Sequence, residues 1–168
     1  MERSADRAEV TTQRRKARII DGFVTLLRRR LGALEQGSAA AQAGARVDGS
    51  HRPATRGERG AVSEQAALAH GLRVRAAALG TALHRLADVP RGPTDRGGPG
   101  ALVQLEDEEG ARSWWAVLPG GQGDAVDAAT IVSPESPVAR ALRGAEAGDV
   151  VRLRRGGVLR EHEVLQVG

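Results

Sequence analysis

The stretch Ala61–Leu86, AVSEQAALAHGLRVRAAALGTALHRL, decides the architecture. Small or apolar side chains recur at Val62, Ala69, Leu72, Ala76, Leu79, Ala82, Leu83 and Leu86. From Ala69 onward the steps alternate between 3 and 4 residues. That is the period of a helical seam, and such a seam is buried only against a second helix. An earlier stretch supplies the partner, because Ile20, Val24, Leu27, Leu31 and Leu34 follow the same alternation. Between the two lies Gly44–Gly60, GARVDGSHRPATRGERG, which is turn chemistry; Pro53 forbids a regular helix there. The pattern predicts a long antiparallel helical hairpin over residues 1–87 with its tip at about 44–64. The first arm is expected from near Gln13 to about Ala43. Residues 1–13 are polar, lie outside the seam and are expected to fray. The second arm is expected to open at Ser63, as an N-cap, with Glu64 in its first turn.

Composition narrows what the packing and the chemistry are. Only 2% of the 168 residues are aromatic and none is Tyr, so Ala, Leu and Val do the packing. The absence of Cys excludes disulfides, thiolate metal sites and a cysteine nucleophile. His51, His70, His84 and His162 are not at metal-ligand spacing, and the glycines at 120–123 do not form a phosphate loop. The sequence has no apolar run of the ~20 residues that span a bilayer, and MERSADRAEV lacks a signal-peptide core. A soluble, cytoplasmic protein is expected. The net charge of +4 conceals an asymmetry: residues 1–97 carry +8 and residues 98–168 carry −4. A basic first half suits a polyanionic or acid-lined partner. No aromatics interleave with its arginines, so it offers no stacking platform for bases.

Residues 88–100, DVPRGPTDRGGPG, hold three Pro and four Gly and read as a linker without helix or strand. From Ala101 the period changes to two. Leu102–Leu105 reads as a strand, Glu106–Gly110 as a turn, Arg112–Leu118 as the return strand and Pro119–Gly123 as a second turn. A third strand is expected across Ala125–Val132. Ser136 reads as the cap, Pro137 as the first residue and Gly144 as the stop of a short helix. Val150–Arg154, the Gly156-Gly157 turn and Val158–Val167 read as a final hairpin. The fold class is thus α+β: a helical hairpin, then a small domain over 101–168 with a mostly antiparallel sheet and one helix. Trp114 and Trp115 are adjacent on a strand and point to opposite faces.

The run SPVARALRGAEAGDVV (136–151), with the strand before it and the closing hairpin, resembles the C-terminal signature of the bacterial Gre transcript-cleavage factors. The resemblance covers about Gly100 to Gly168 and implies an FKBP-like fold. The order of a coiled-coil hairpin followed by a globular domain is also similar. The family's tip pattern G-D-L-x-E-N-A-E-Y aligns without gaps to GAVSEQAAL (60–68). Gly60 and Glu64 match, Ser63 is at the variable position, and Ala61 stands where the family has Asp.

The resemblance implies a partner, bacterial RNA polymerase, whose secondary channel the hairpin enters. In the family two tip acids help hold a second Mg²⁺ of the polymerase, which cleaves the backtracked RNA. Here Glu64 alone matches, with Asp48 and Glu58 as substitutes if the tip folds differently. No intrinsic metal or bound cofactor is expected, and the polymerase Mg²⁺ would be shared through Glu64. The implied function is modulation of elongation, with cleavage stimulation reduced or lost at Ala61, and no enzymatic activity of its own. Glu135, Ser136, Pro137 and Arg140 are the implied polymerase contacts. Contact with nascent RNA, no membrane association and a monomeric state complete the expectation. Two other classes stand beside it: an FKBP-like prolyl isomerase, and a nonspecific basic nucleic-acid binder.

Overall fold

The structure, a computed structural model, describes the backbone of residues 2–45 and 56–168, with side chains from Val10 onward except at 45, 56, 58 and 155. The elements are α1 (Glu2–Ala45), α2 (Arg56–Ala87), β1 (Leu102–Asp107), β2 (Arg112–Val117), β3 (Gln122–Val126), β4 (Ala129–Val132), α3 (Pro137–Leu142), β5 (Val150–Arg155) and β6 (Val158–Val167). The contacts divide the chain into two compact units, residues 25–83 and residues 1–24 with 84–168. Among the described residues no helix is long and apolar enough to cross a membrane.

The 25–83 unit is a helical pair. Its seam is the one the periodicity predicts: Leu27, Ala69 and Ala82 are buried, and Leu31, Leu34, Leu72, Ala76 and Leu79 are half-buried. The direction is antiparallel. Gly37 faces Leu72, and the Ser38 hydroxyl donates to the Ala69 carbonyl at 3.3 Å. Small residues at these crossings let the backbones approach closely, but they also leave little apolar area to bury.

The other unit has a fuller core. Six strands form one mixed sheet in the order β3-β4-β2-β1-β6-β5. Four of the five pairings are antiparallel and β2–β4 is parallel. On one face α3 covers Val103, Leu105, Val117, Val151, Leu153 and Val164, with its own Ala139 and Leu142 wedged among them. Each such fully buried branched side chain contributes roughly 1.5–3 kcal/mol. Against the rest of this unit, α1 buries Thr12, Lys16, Ile19, Ile20 and Phe23. The Thr12 hydroxyl meets the Gln166 amide, and the Arg15 guanidinium lies 4.9 Å from the Trp114 ring centre. Gly22 leaves no room for a side chain, since a Cβ there would stand 2.7 Å from Val126 Cγ1.

Three expectations are corrected. Helix α1 starts at Glu2, not near Gln13, and its residues from Val10 to Phe23 carry a buried face of their own. Packing against the sheet overrides their polarity. The strand expected over Ala125–Val132 is two strands, β3 and β4. Asp127 and Ala128 both take positive φ, 48° and 61°, and turn the chain between them. The third concerns Ser63, which lies inside α2 and caps nothing; the helix has already begun at Arg56.

The Pro/Gly-rich segment 88–100 has no helix or strand, as expected, yet it is pinned. Gly97 N donates to Ala145 O at 2.8 Å, and Gly144 N returns a bond to Gly97 O at 2.7 Å. A Cβ on Gly97 would collide with the Leu142 carbonyl, so only glycine fits there. Lys16 Nζ donates to Gly92 O at 2.8 Å, and Arg91 pairs with Asp21 at 2.6 Å. Burial lowers the pKa of Lys16 below the usual lysine value by desolvating the ammonium.

Candidate functional site

The turn that opens α3 gathers four of the residues singled out in the sequence. Ser136 N donates to Ser133 O at 3.0 Å, closing a turn after β4. Ser136 is extended (φ −66°, ψ 153°), and its hydroxyl oxygen accepts from Ala139 N at 3.1 Å. Pro137 then occupies the first helical position, where its missing N–H costs nothing. The Arg140 guanidinium reaches back and donates twice to Glu135 O, at 3.2 and 3.0 Å. Glu135, Pro137 and Arg140 are exposed, while Ala139 and Leu142 on the same short helix are buried. The result is a rigid surface knob carrying a carboxylate, a proline ring and a guanidinium, held from below by the core. Such an arrangement suits recognition by a protein partner, because little ordering is left to be done on contact.

The other candidate positions lie on α2. Gly60, Ala61, Ser63 and Glu64 are all exposed and helical. Ala61 and Glu64 are three residues apart and therefore share a face. Ala61 is five residues beyond Arg56, roughly 7 Å along the axis from the first turn of α2. The side chain of Glu58 and all of Asp48 lie outside the described residues. Among the described residues no group of three His, Asp or Glu side chains could hold a metal ion. With alanine at 61, the pair offers a single carboxylate, and Mg²⁺ in an all-protein setting needs more.

Two further groups were not legible as candidates. Trp115 packs against the core under α3, its Nε1 donating to Ser113 Oγ at 3.0 Å. His162 sits at an inward position of β6 and is only 8% exposed. The signal was the alternation V-L-R-E-H-E-V-L-Q, which places this histidine in register with inward-facing Val164.

Comparison with known proteins bears on the same region. Residues 93–168 match the family described as transcription elongation factor, GreA/GreB, C-terminal domain. Among solved structures the chain is similar to GreA factor homolog 1 (Gfh1) of Thermus thermophilus, at 19% identity over 90% of this chain and 95% of that one, with a TM-score of 0.40. It is similar to Gfh1 of Thermus aquaticus at 20% identity, over 85% of this chain and 89% of that one, with a TM-score of 0.38. Among curated proteins no sequence matches significantly.

Proposed function

We propose, from the match of residues 93–168 to the GreA/GreB C-terminal domain, that the chain is a Gre-type factor that binds RNA polymerase and modulates transcript elongation in the cytoplasm. The C-terminal domain is the grip, with the knob of Glu135, Ser136, Pro137 and Arg140 against the polymerase. The helical pair enters the secondary channel. The chain acts on the polymerase as a modulator and has no enzymatic activity of its own. Its stimulation of transcript cleavage is weak or absent.

The observation that carries this reading is the family match over the domain that contains the knob. Two features support impaired cleavage. Ala61 presents a methyl where the related tip pattern has a carboxylate, and both Ala61 and Glu64 lie beyond the first turn of α2. The basic surface of the first half, +8 over residues 1–97, suits an acid-lined channel.

The test has two arms. Full-length protein is mixed with core polymerase and association is measured, with Arg140→Glu in parallel. Binding that weakens at least tenfold in the variant is expected; no association of the wild type overturns the reading. A backtracked elongation complex is then challenged with wild type, Ala61→Asp and Glu64→Ala. Slow or no 3′-end shortening is expected with wild type, and rapid shortening overturns the impaired-cleavage part alone. A gain with Ala61→Asp identifies the missing carboxylate as the cause.

A further inference from the structure

The sheet ends in two edges that are built differently. At one, the β3 ladder is irregular between Gln122 and Asp124, Gly123 takes a φ of 87°, and Gly22 of α1 closes on Val126. A bulge and a covering element are the usual means of blunting an edge. At the other edge, β5 has neither. Val150–Arg155 contains no proline, ends the strand order, and pairs with β6 in unbroken register from Val150↔Glu163 to Arg155↔Val158.

The ladder fixes which groups of β5 face outward. Asp149 O accepts from Val164 N at 2.8 Å. Bonding alternates along an antiparallel pair, so Val151, Leu153 and Arg155 are the next residues turned toward β6. Val150, Arg152 and Arg154 therefore turn their N–H and C=O groups to the free edge. No group among the described residues meets them there. Their side chains are exposed on the face opposite α3, whereas Val151 and Leu153 are buried beneath it. Donor and acceptor thus recur at every second residue, the repeat of an incoming extended chain.

Charge selects the kind of chain. Arg152 and Arg154 share the outer face, about 7 Å apart in an extended strand. Arg152 pairs with Glu161 at 2.8 Å, while Arg154 stands opposite Leu159 and makes no ion pair among the described residues. A second copy of β5 laid antiparallel on the first would set arginine against arginine, which is unfavourable. A strand with carboxylates at alternate positions is favourable, and it continues the Glu161–Arg152 row by one more opposite charge. Val150 and Leu159, both exposed on this face, leave apolar surface for the residues flanking those carboxylates.

We infer that the β5 edge is a docking site for an extended acidic segment of a partner protein, which joins the sheet as a further strand with its carboxylates on Arg152 and Arg154. The inference uses no residue of the knob or of α2 and does not rest on the polymerase reading.

The experiment titrates the full-length protein, without polymerase, into a fluorescein-labelled peptide Val-Thr-Glu-Thr-Glu-Thr-Val, whose order is the same in both directions. Saturable binding is expected by fluorescence anisotropy. The peptide with Lys for Glu should bind about tenfold more weakly, and so should the Glu peptide with its alternate amides N-methylated. Amide exchange followed by NMR should slow at Val150, Arg152 and Arg154 on binding and stay unchanged at Val151 and Leu153. Arg154→Glu, which breaks no ion pair among the described residues, should reverse the preference between the Glu and Lys peptides. The inference is overturned if the Glu peptide does not bind by about 1 mM, if the Glu and Lys peptides bind equally, or if binding leaves the three edge amides unprotected. Sedimentation that shows the protein dimerising through those same amides also overturns it, since the occupant is then a second copy.

Discussion

The sheet-containing unit and the helical pair are stabilised in different ways. In the first, Val103, Leu105, Val117, Leu142 and Val164 are all completely enclosed, and each is touched by several elements. In the second, the seam between residues 25 and 83 buries Leu27, Ala41, Ala69 and Ala82 fully, with the other seam leucines half-exposed. One unit depends on a few large side chains that cannot be replaced. The other spreads a thin interaction over many positions, so its stability follows helix propensity as much as packing. The lesson is that substitutions of similar chemistry should act unequally in the two.

The largest effect is expected for Leu142→Ala. Removal of a fully buried leucine should cost about 2–5 kcal/mol in chemical denaturation of the sheet-containing unit. Amide exchange should speed up across that unit and stay unchanged in α2 between residues 60 and 80. Equal loss of protection in both units would break the comparison. Ser136→Ala should cost about 1 kcal/mol by removing the cap on Ala139 N, and it should weaken polymerase binding through the loosened knob. Unchanged stability would mean that the core alone holds α3.

The helical pair should respond in the opposite direction. Gly32, Gly71 and Gly80 are helical, and a Cβ at each meets nothing within 4 Å. Each Gly→Ala change should raise stability by about 0.5–1 kcal/mol, read as a higher melting temperature for the helical signal. No gain in the triple variant would show that packing rather than propensity limits this unit. The smallest effect concerns Lys16. Its folded-state pKa lies below the unfolded 10.5 because burial disfavours the charged form. Between these two values the folded chain releases its proton first, so stability should rise with pH in that alkaline window. Lys16→Met should flatten the slope, measured as denaturation midpoints across the window.

Much of this was legible in the sequence, for identifiable reasons. The seams were read correctly because Ala69, Leu72, Ala76 and Leu79 keep strict spacing. The final hairpin was legible because Gly156 and Gly157 both take positive φ, 57° and 85°, as a two-residue turn requires. The Ser136–Pro137 start of α3 was legible because cap and first-turn proline are local signals. Where tertiary packing decides, the sequence was mute. Thr12 and Lys16 are polar residues on a buried face. Asp127-Ala128 lacks the glycine that announces such a turn, and Ser63 imitated a cap although it lies inside a helix that begins at Arg56. His162 announced its inward direction but not its missing partner. The four residues that the family resemblance implied as contacts come together at one turn, whereas of the acids named at the tip only Glu64 stands among described side chains.

The division of the chain at residues 24 and 84 has a consequence for its biogenesis. Residues up to Val24 leave the ribosome about 60 residues before the segment that will cover Ile19, Ile20 and Phe23. The helical pair, made of one continuous stretch, can form in the meantime from near neighbours. The sheet cannot, since β1 stays unpaired on one side until β6 arrives and Leu102 and Gly168 exchange their two backbone bonds. During translation the apolar face around Ile19, Ile20 and Phe23 must therefore wait for its cover, and the nascent chain is most exposed to chaperones and proteases in that interval.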